Sequence, residues 1–294
     1  MAADSVLTVL LPAALFIIML GMGVSLKPAD FRQLIERPGV VLLGSVLQLV
    51  ALPALGFIVV TLLHLPAVLA AGLMVVTFAP GGATSNMISH LCRADTALSI
   101  SLTAVSSLLS PLTLPLLTYL VLEHFMGQGV VFELSLISTA AKLFTVTLIP
   151  VAIGISLNLR WPHLCQPLQK IVKLLSLLFM LIVVVLITAG NSAGLPLLLP
   201  QLAPAVLLLA GSAMLCGYLV PRYLFNLDVK TGLTLAIETG IQNAGTALMV
   251  TGAILHNPEM SMAVLLYGIL MQIPALLLII YRNAAPLYLF RPEA

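Results

Sequence analysis

Apolar residues in this chain do not alternate or recur on one face; they run. Stretches with few or no charges occupy residues 5–26, 38–63, 66–92, 96–122, 134–159, 174–197, 203–221, 231–255 and 260–281, each close to or above the roughly 20 residues an α-helix needs to cross a bilayer. The pattern predicts an all-α polytopic membrane protein of nine transmembrane helices in one domain, residues 1–294. Residues 5–26 read as a first membrane helix rather than a leader, because no basic segment precedes them. Of the Lys and Glu residues, only Lys142 and Glu238 fall inside the runs. Trp161 and Tyr281, at run ends, read as interface anchors.

Two runs break their own pattern. In the third, Phe78-Ala-Pro-Gly-Gly-Ala-Thr-Ser-Asn-Met-Ile-Ser89 interrupts the helix at Pro80 to Asn86 with small polar side chains. In the eighth, Glu238-Thr-Gly-Ile-Gln-Asn243 places a carboxylate and two amides in mid-segment. Unpaired backbone groups in hydrocarbon cost several kcal/mol each, so a broken helix persists only where protein or a water-filled cavity satisfies it. The two breaks occupy equivalent places in spans 1–4 and 6–9, with span 5 linking. A displacement by five spans reverses direction, so the pattern predicts an inverted repeat with a site near the midplane where the breaks meet.

Composition removes most other classes. With 61% hydrophobic and 7% charged residues, the chain cannot cover a water-soluble globule. Twelve Lys plus Arg against ten Asp plus Glu gives a formal +2, which offers nothing for nucleic acid. Cys92, Cys165 and Cys216 are scattered and suit neither a disulfide framework nor a thiolate metal site. Charge placement says more than charge sum. Lys and Arg follow spans one, three, five, seven and nine, while the loops after spans two, four, six and eight carry none. The positive-inside rule then puts the N-terminus outside and the C-terminus in the cytoplasm of a cell membrane, read as a bacterial inner membrane. Between spans one and two, Phe31, Leu34 and Ile35 suggest a short interfacial helix with one apolar face.

Glu238 is the most informative residue, because a carboxylate at mid-helix costs roughly 2.5–3.5 kcal/mol to insert and therefore needs a partner. Thr239, Gln242 and Asn243 accompany it, Thr84, Ser85 and Asn86 sit at the other break, and Ser99, Thr103 and Ser106 recur along span four at helical spacing. Single hydroxyls in membrane helices are more often interhelical contacts than ligands. Around one carboxylate and two breaks they suit an oxygen cage for a small hard cation. Half-helix N-termini suit an anionic substrate, and Gly81, Gly82, Ala83 and Gly245 let backbone approach it. Lys142 reads as a snorkelling residue rather than an anchor.

Pro80-Gly-Gly-Ala-Thr-Ser-Asn86, Ala97-Leu-Ser99 with Thr103 and Ser110-Pro111, Glu238-Thr-Gly-Ile-Gln-Asn243, Met22-Gly-Val-Ser-Leu-Lys-Pro-Ala-Asp-Phe31 and Gln48 together resemble the bile acid:sodium symporter family over nearly the whole chain. The resemblance implies a core domain (spans 2–4 and 7–9) with two crossed, broken helices, moving against a panel (spans 1, 5 and 6). It implies uptake of organic anions, such as bile acids or small carboxylates, driven by two sodium ions (Na+). The first ion would be held by Ser85, Asn86, Ser99, Thr103 and Glu238. The second would be held by Gln48, Glu238 and Gln242 with backbone carbonyls around Thr239 and Ile241. Asn243 and the backbone of Ala83 and Thr84 would face the substrate, although Ala83-Thr84 departs from the Thr-Ala order common in the family. A proton-coupled carrier using Glu238 is the alternative reading. An intramembrane enzyme is remote, because the runs offer no second acid, base or metal set.

Overall fold

A computed structural model describes residues 2–26, 32–127, 136–165, 167 and 195–284, and its regular structure is helical throughout. The elements are α1 (Ala2–Ser25), α2 (Arg32–Glu36), α3 (Pro38–Leu62), α4 (Ala67–Thr77), α5 (Ala83–Leu91), α6 (Thr96–Met126) and α7 (Leu136–Arg160). There follow α8 (Leu195–Leu219), α9 (Val229–Gly240), α10 (Ala244–Leu248), α11 (Pro258–Leu270) and α12 (Gln272–Ala284). Five stretches among the described residues are long and apolar enough to cross a membrane: Pro38–Leu62, Thr96–Met126, Ile137–Arg160, Leu197–Leu224 and Pro258–Ala284.

Several boundaries differ from those the apolar runs suggest. The sixth run, 174–197, lies outside the described residues except for its last three. The expected gap before the seventh is helical instead, since α8 is already formed at Leu195 and continues through Pro200 and Pro204. Each proline removes one backbone bond, a loss that membrane helices tolerate where neighbours re-satisfy the freed carbonyl. The expected interfacial helix shrinks to the five residues of α2; Leu34 packs inward while Ile35 is 84% exposed, so they do not share a face, and Phe31 lies outside the described residues.

Three helices contain wide π turns. The one at Leu47–Ala51 in α3 precedes Pro53, and the one at Val220–Leu224 contains Pro221 and extends α8. Proline leaves the carbonyl four residues upstream without its donor and clashes with it, so the turn before it widens. The third, Met249–Ile254, extends α10.

The two expected breaks are present but narrower than the polar stretches that announced them. The first is Phe78–Gly82, and Ala83 to Asn86 already belong to α5. The second is Ile241–Asn243, so Glu238, Thr239 and Gly240 form the last turn of α9. Pro80 and two glycines stop α4, and Gly82, with φ −139° and ψ 175°, is the extended residue from which α5 starts. Asn243 starts α10 by accepting a hydrogen bond from the Thr246 amide on its own side chain.

These broken segments sit at the centre of the packing. Every residue from Leu69 to Gly82, from Thr231 to Gln242 and from Met260 to Tyr267 is buried, the mark of helices surrounded on all sides rather than on one face. Close approach is built in at Gly217 of α8, where a Cβ would lie 2.6 Å from the Leu235 carbonyl of α9. α1 packs along α7, with Gly154 against the backbone of α1, and Asn158 donates to the Leu26 carbonyl (2.9 Å).

Candidate functional site

Four helices deliver the polar groups that the sequence singled out. α5 carries Ser85 and Asn86, α6 carries Ser99 and Thr103, the π turn of α3 carries Gln48, and the end of α9 carries Glu238 with Gln242 just beyond. The breaks touch: the Asn243 amide donates to the Pro80 carbonyl (2.9 Å). Gly81 lets the carboxylate lie against the first break, since a Cβ there would stand 2.6 Å from Glu238 Oε2 and 3.2 Å from Thr103 Oγ1. The Gly81 amide donates to Ser106 Oγ (3.3 Å).

Glu238 is buried, and none of the ion pairs among the described residues involves it. It therefore neither faces lipid nor rests against a basic side chain. Its Oε1 accepts from Ser99 Oγ in a short hydrogen bond, and its Oε2 accepts from Thr103 Oγ1 (3.0 Å) and Gln48 Nε2 (3.3 Å). Ser85, buried beside them, donates its hydroxyl to the Gly82 carbonyl (2.7 Å). Asn86 Oδ1 stands 2.8 Å from Ser99 Oγ and 3.3 Å from Thr103 Oγ1.

A count of protons shows what this cluster is short of. Ser99 and Thr103 each reach both a Glu238 oxygen and Asn86 Oδ1, which makes four oxygen–oxygen contacts, yet each hydroxyl has one proton to give. With Glu238 ionised and Asn86 Oδ1 turned to the hydroxyls, two of the four contacts have no hydrogen between the oxygens. Such a group of oxygens, brought together from three helices around one carboxylate, could hold a hard cation. Among the described residues no group of three or more His, Cys, Asp or Glu could hold a transition metal.

Beside it lies a second group of oxygens. The Gln48 amide nitrogen donates to the Glu238 carbonyl (2.9 Å), and the Gln242 amide nitrogen donates to the carbonyls of Glu238 (3.0 Å) and Thr239 (2.9 Å). The amide oxygens of both glutamines, Gln48 Oε1 and Gln242 Oε1, are buried with no hydrogen-bond partner. Buried acceptors without partners are expensive, roughly 1–3 kcal/mol each, and two of them beside the buried helix-end carbonyls of Glu238 and Thr239 could also serve a cation. Ile241 is buried in the break itself.

The expected substrate groups are more open. Ala83 is exposed and Thr84 and Asn243 are half-buried, and Gly82, just before the first turn of α5, lies against Asn243 at the start of α10. The two helix starts differ from the expectation that both present free amides: Asn243 Oδ1 already caps Thr246 N (3.2 Å), whereas Gly82 has no side chain with which to cap α5. Lys142 lies on the exposed side of α7. One participant escaped the sequence reading altogether. Tyr267, fully buried in α11, donates its phenol to the Gly240 carbonyl at the end of α9 (3.0 Å). A tyrosine far from either end of an apolar run was the available signal, since tyrosines in spans favour the interfaces and a buried phenol needs an acceptor.

Comparison with known proteins supplies independent information. Residues 12–195 match the model of the sodium bile acid symporter family. The uncharacterized sodium-dependent transporter YocS of Bacillus subtilis (strain 168) is 30% identical over 231 residues, covering 78% of this chain and 69% of that protein. The probable sodium/metabolite cotransporter BASS1, chloroplastic, of Arabidopsis thaliana is 34% identical over 251 residues, covering 83% of this chain and 59% of its own length. Sodium/bile acid cotransporter 4 of Homo sapiens is 32% identical over 241 residues, covering 81% and 54% respectively. The chain thus spans little more than half of the plant and human proteins. All three are named as transporters, in agreement with a carrier rather than an enzyme.

Proposed function

Because the chain belongs to the sodium bile acid symporter family, we propose that it is a sodium-coupled symporter of organic anions that works by alternating access. The observation that carries this reading is the proton-poor oxygen cluster around a buried Glu238 with no basic partner. One sodium ion would sit among Ser85, Asn86, Ser99, Thr103 and Glu238. A second would sit among Gln48, Glu238, Gln242 and the carbonyls near Thr239 and Ile241, with the two unpartnered glutamine oxygens turning onto it. Each ion supplies the positive charge that the carboxylate lacks.

Coupling follows from geometry. Glu238 belongs to both ion groups, and Gly81, Pro80 and Asn243 connect it to the two breaks, so an ion there stiffens the backbone that borders Ala83, Thr84 and Asn243. A substrate carboxylate then meets an ordered site, and the two ligands favour each other by differential affinity. The architecture proposed around this site has nine spans, in two inverted sets of four with span 5 between them. Spans 2–4 and 7–9 form the core, spans 1, 5 and 6 the panel, and the N-terminus lies outside. Bile acids and smaller carboxylates are the substrate classes to test.

Proteoliposomes should accumulate a radiolabelled bile acid or small carboxylate only with an inward sodium gradient, and Glu238→Ala should abolish the accumulation. Equal uptake in potassium, or uptake that follows a pH gradient without sodium, would refute sodium coupling and favour Glu238 as a proton carrier.

A further inference from the structure

The break after α9 leaves its last three carbonyls, those of Glu238, Thr239 and Gly240, without helical partners, while the one before them keeps its ordinary helical bond. Ile237 O accepts from Ile241 N (2.9 Å). Glu238 O is held by the amide groups of Gln48 and Gln242, and Thr239 O by that of Gln242. Gly240 O is taken by Tyr267 of α11. Glu238 O and Thr239 O are thus satisfied by amides that can turn about their own bonds, beside glutamine oxygens that have no partner. Gly240 O is instead fixed by a ring packed immovably in the core, at 0% exposure.

We propose that the Tyr267 phenol is a positioning group for the second cation: by holding the Gly240 carbonyl toward α11, it keeps the Glu238 and Thr239 carbonyls turned toward Gln48 and Gln242. Tyr267 does not itself touch the ion. Without the phenol, the Gly240 carbonyl becomes a buried acceptor without a partner, one residue beyond the Thr239 carbonyl that the Gln242 amide already holds. The 238–240 peptides then compete for that amide, and the two carbonyls lose their common direction. Phe78 to Gly82 has a different arrangement, since the Ser106 hydroxyl accepts there from an amide, so the phenol acts on the second break alone.

This inference rests on the sodium-coupled reading, and the experiment separates the two. Uptake is titrated with sodium at fixed substrate and with substrate at saturating sodium, and the sodium-induced rise in melting temperature is measured in detergent. Three proteins are compared: the unaltered chain, Tyr267→Phe, and Ser261→Ala. Phenylalanine keeps every ring contact and removes one hydroxyl. Ser261 Oγ, also on α11, lies within hydrogen-bond distance of Asn257 O (2.8 Å) and Thr251 Oγ1 (3.1 Å), so its loss removes a buried hydrogen bond away from α9. Tyr267→Phe should raise the half-saturating sodium concentration about fivefold to tenfold, the scale of one buried hydrogen bond. It should also lower the sodium Hill coefficient and leave the substrate KM at saturating sodium unchanged. Ser261→Ala should lower the melting temperature without moving the sodium titration. If Tyr267→Phe titrates like the unaltered chain, or both variants shift sodium equally, the phenol is an ordinary core bond and the inference fails alone. If the unaltered chain shows no response to sodium in either measurement, the inference fails together with the reading beneath it.

Discussion

At the scale of single residues, the chemistry here is that of too few protons and too little room. Gly81 tests the second point. A methyl group there would enter the space between Glu238 Oε2 and Thr103 Oγ1, and neither the carboxylate nor the hydroxyl can withdraw without leaving the cluster. Gly81→Ala is therefore expected to remove sodium-stimulated uptake while the protein still reaches the membrane, as checked by surface expression beside transport. The first point is tested by Thr103→Val, which keeps the shape but deletes an oxygen and a proton. Losing one oxygen ligand should weaken half-saturating sodium by at least about tenfold, roughly 1.5–3 kcal/mol for a hydrogen-bonding partner of a charged group. Glu238, Asn86, Ser99 and Thr103 were legible in the sequence because polar groups cannot hide in an apolar run. Tyr267 was not, because a tyrosine in such a run scores as apolar and its acceptor, a backbone carbonyl, has no signature in sequence. The partnerless oxygens of Gln48 and Gln242 depend on side-chain geometry and were equally invisible.

At the scale of elements, one arginine organises the ends of the helices that matter. Arg37, the residue from which α3 starts, bonds to Asp95 at the start of α6 (3.2 Å) and to the Thr231 hydroxyl of α9 (2.9 Å), and lies 3.5 Å from Asp228, the cap of α9. Those three helices carry Gln48, Ser99 with Thr103, and Glu238, so the clasp helps fix the register in which these polar groups meet. The sequence presented Arg37 only as one positive charge of a loop, since nothing local ties it to two carboxylates so far along the chain. Arg37→Ala should lower the melting temperature, with the half-buried Asp95 arm contributing roughly 1 kcal/mol after solvent screening. Acid should reproduce part of the effect. Partial burial pushes the Asp228 carboxyl up, but hydrogen bonds from Thr231 and the charge of Arg37 outweigh it and hold it below the ordinary carboxylate range. A carboxyl lowered in the folded state stabilises above its unfolded pKa, near ~4, and that contribution fades as pH falls through the folded value. The difference in melting temperature between the unaltered chain and Arg37→Ala should accordingly shrink below pH ~4; a constant difference from neutral to acid pH would mean that the clasp does not act through its carboxylates.

At the scale of the whole molecule, the two ends of each broken span stand in different surroundings. α4 is buried from Leu69 to Thr77, whereas α5 exposes Ala83, Met87 and Leu91. On the side of α10, Leu11 and Leu15 of α1 reach Gly252 and Gly245, so α1 rests on the half of the second broken span that follows its break. Apolar runs mark where helices can cross a membrane, but they carry nothing of this asymmetry. The pairing of α1 with α7 turns on Gly23 and Gly154, and small residues that let backbones touch leave no trace in hydropathy. In the proposed orientation α5 ends at the cytoplasmic face, where Arg282 and Asn283 of α12 donate to the Cys92 and Leu91 carbonyls. In that orientation the more open, exposed half of the first broken span is cytoplasmic and the closed, buried half is outer. In a background in which Cys92, Cys165 and Cys216 are replaced by alanine, Met87→Cys should react rapidly with a membrane-impermeant thiol reagent in inside-out vesicles and slowly in right-side-out cells. Met74→Cys in α4 should resist from both sides. Sodium with an outward-facing conformer favoured by external substrate should slow the reaction at position 87, because alternating access must cover one half of the crossover as it uncovers the other. Rapid labelling of position 87 from the outer face would mean that this side of the first broken span opens outward, and the direction assigned to the closed and open halves would have to be reversed.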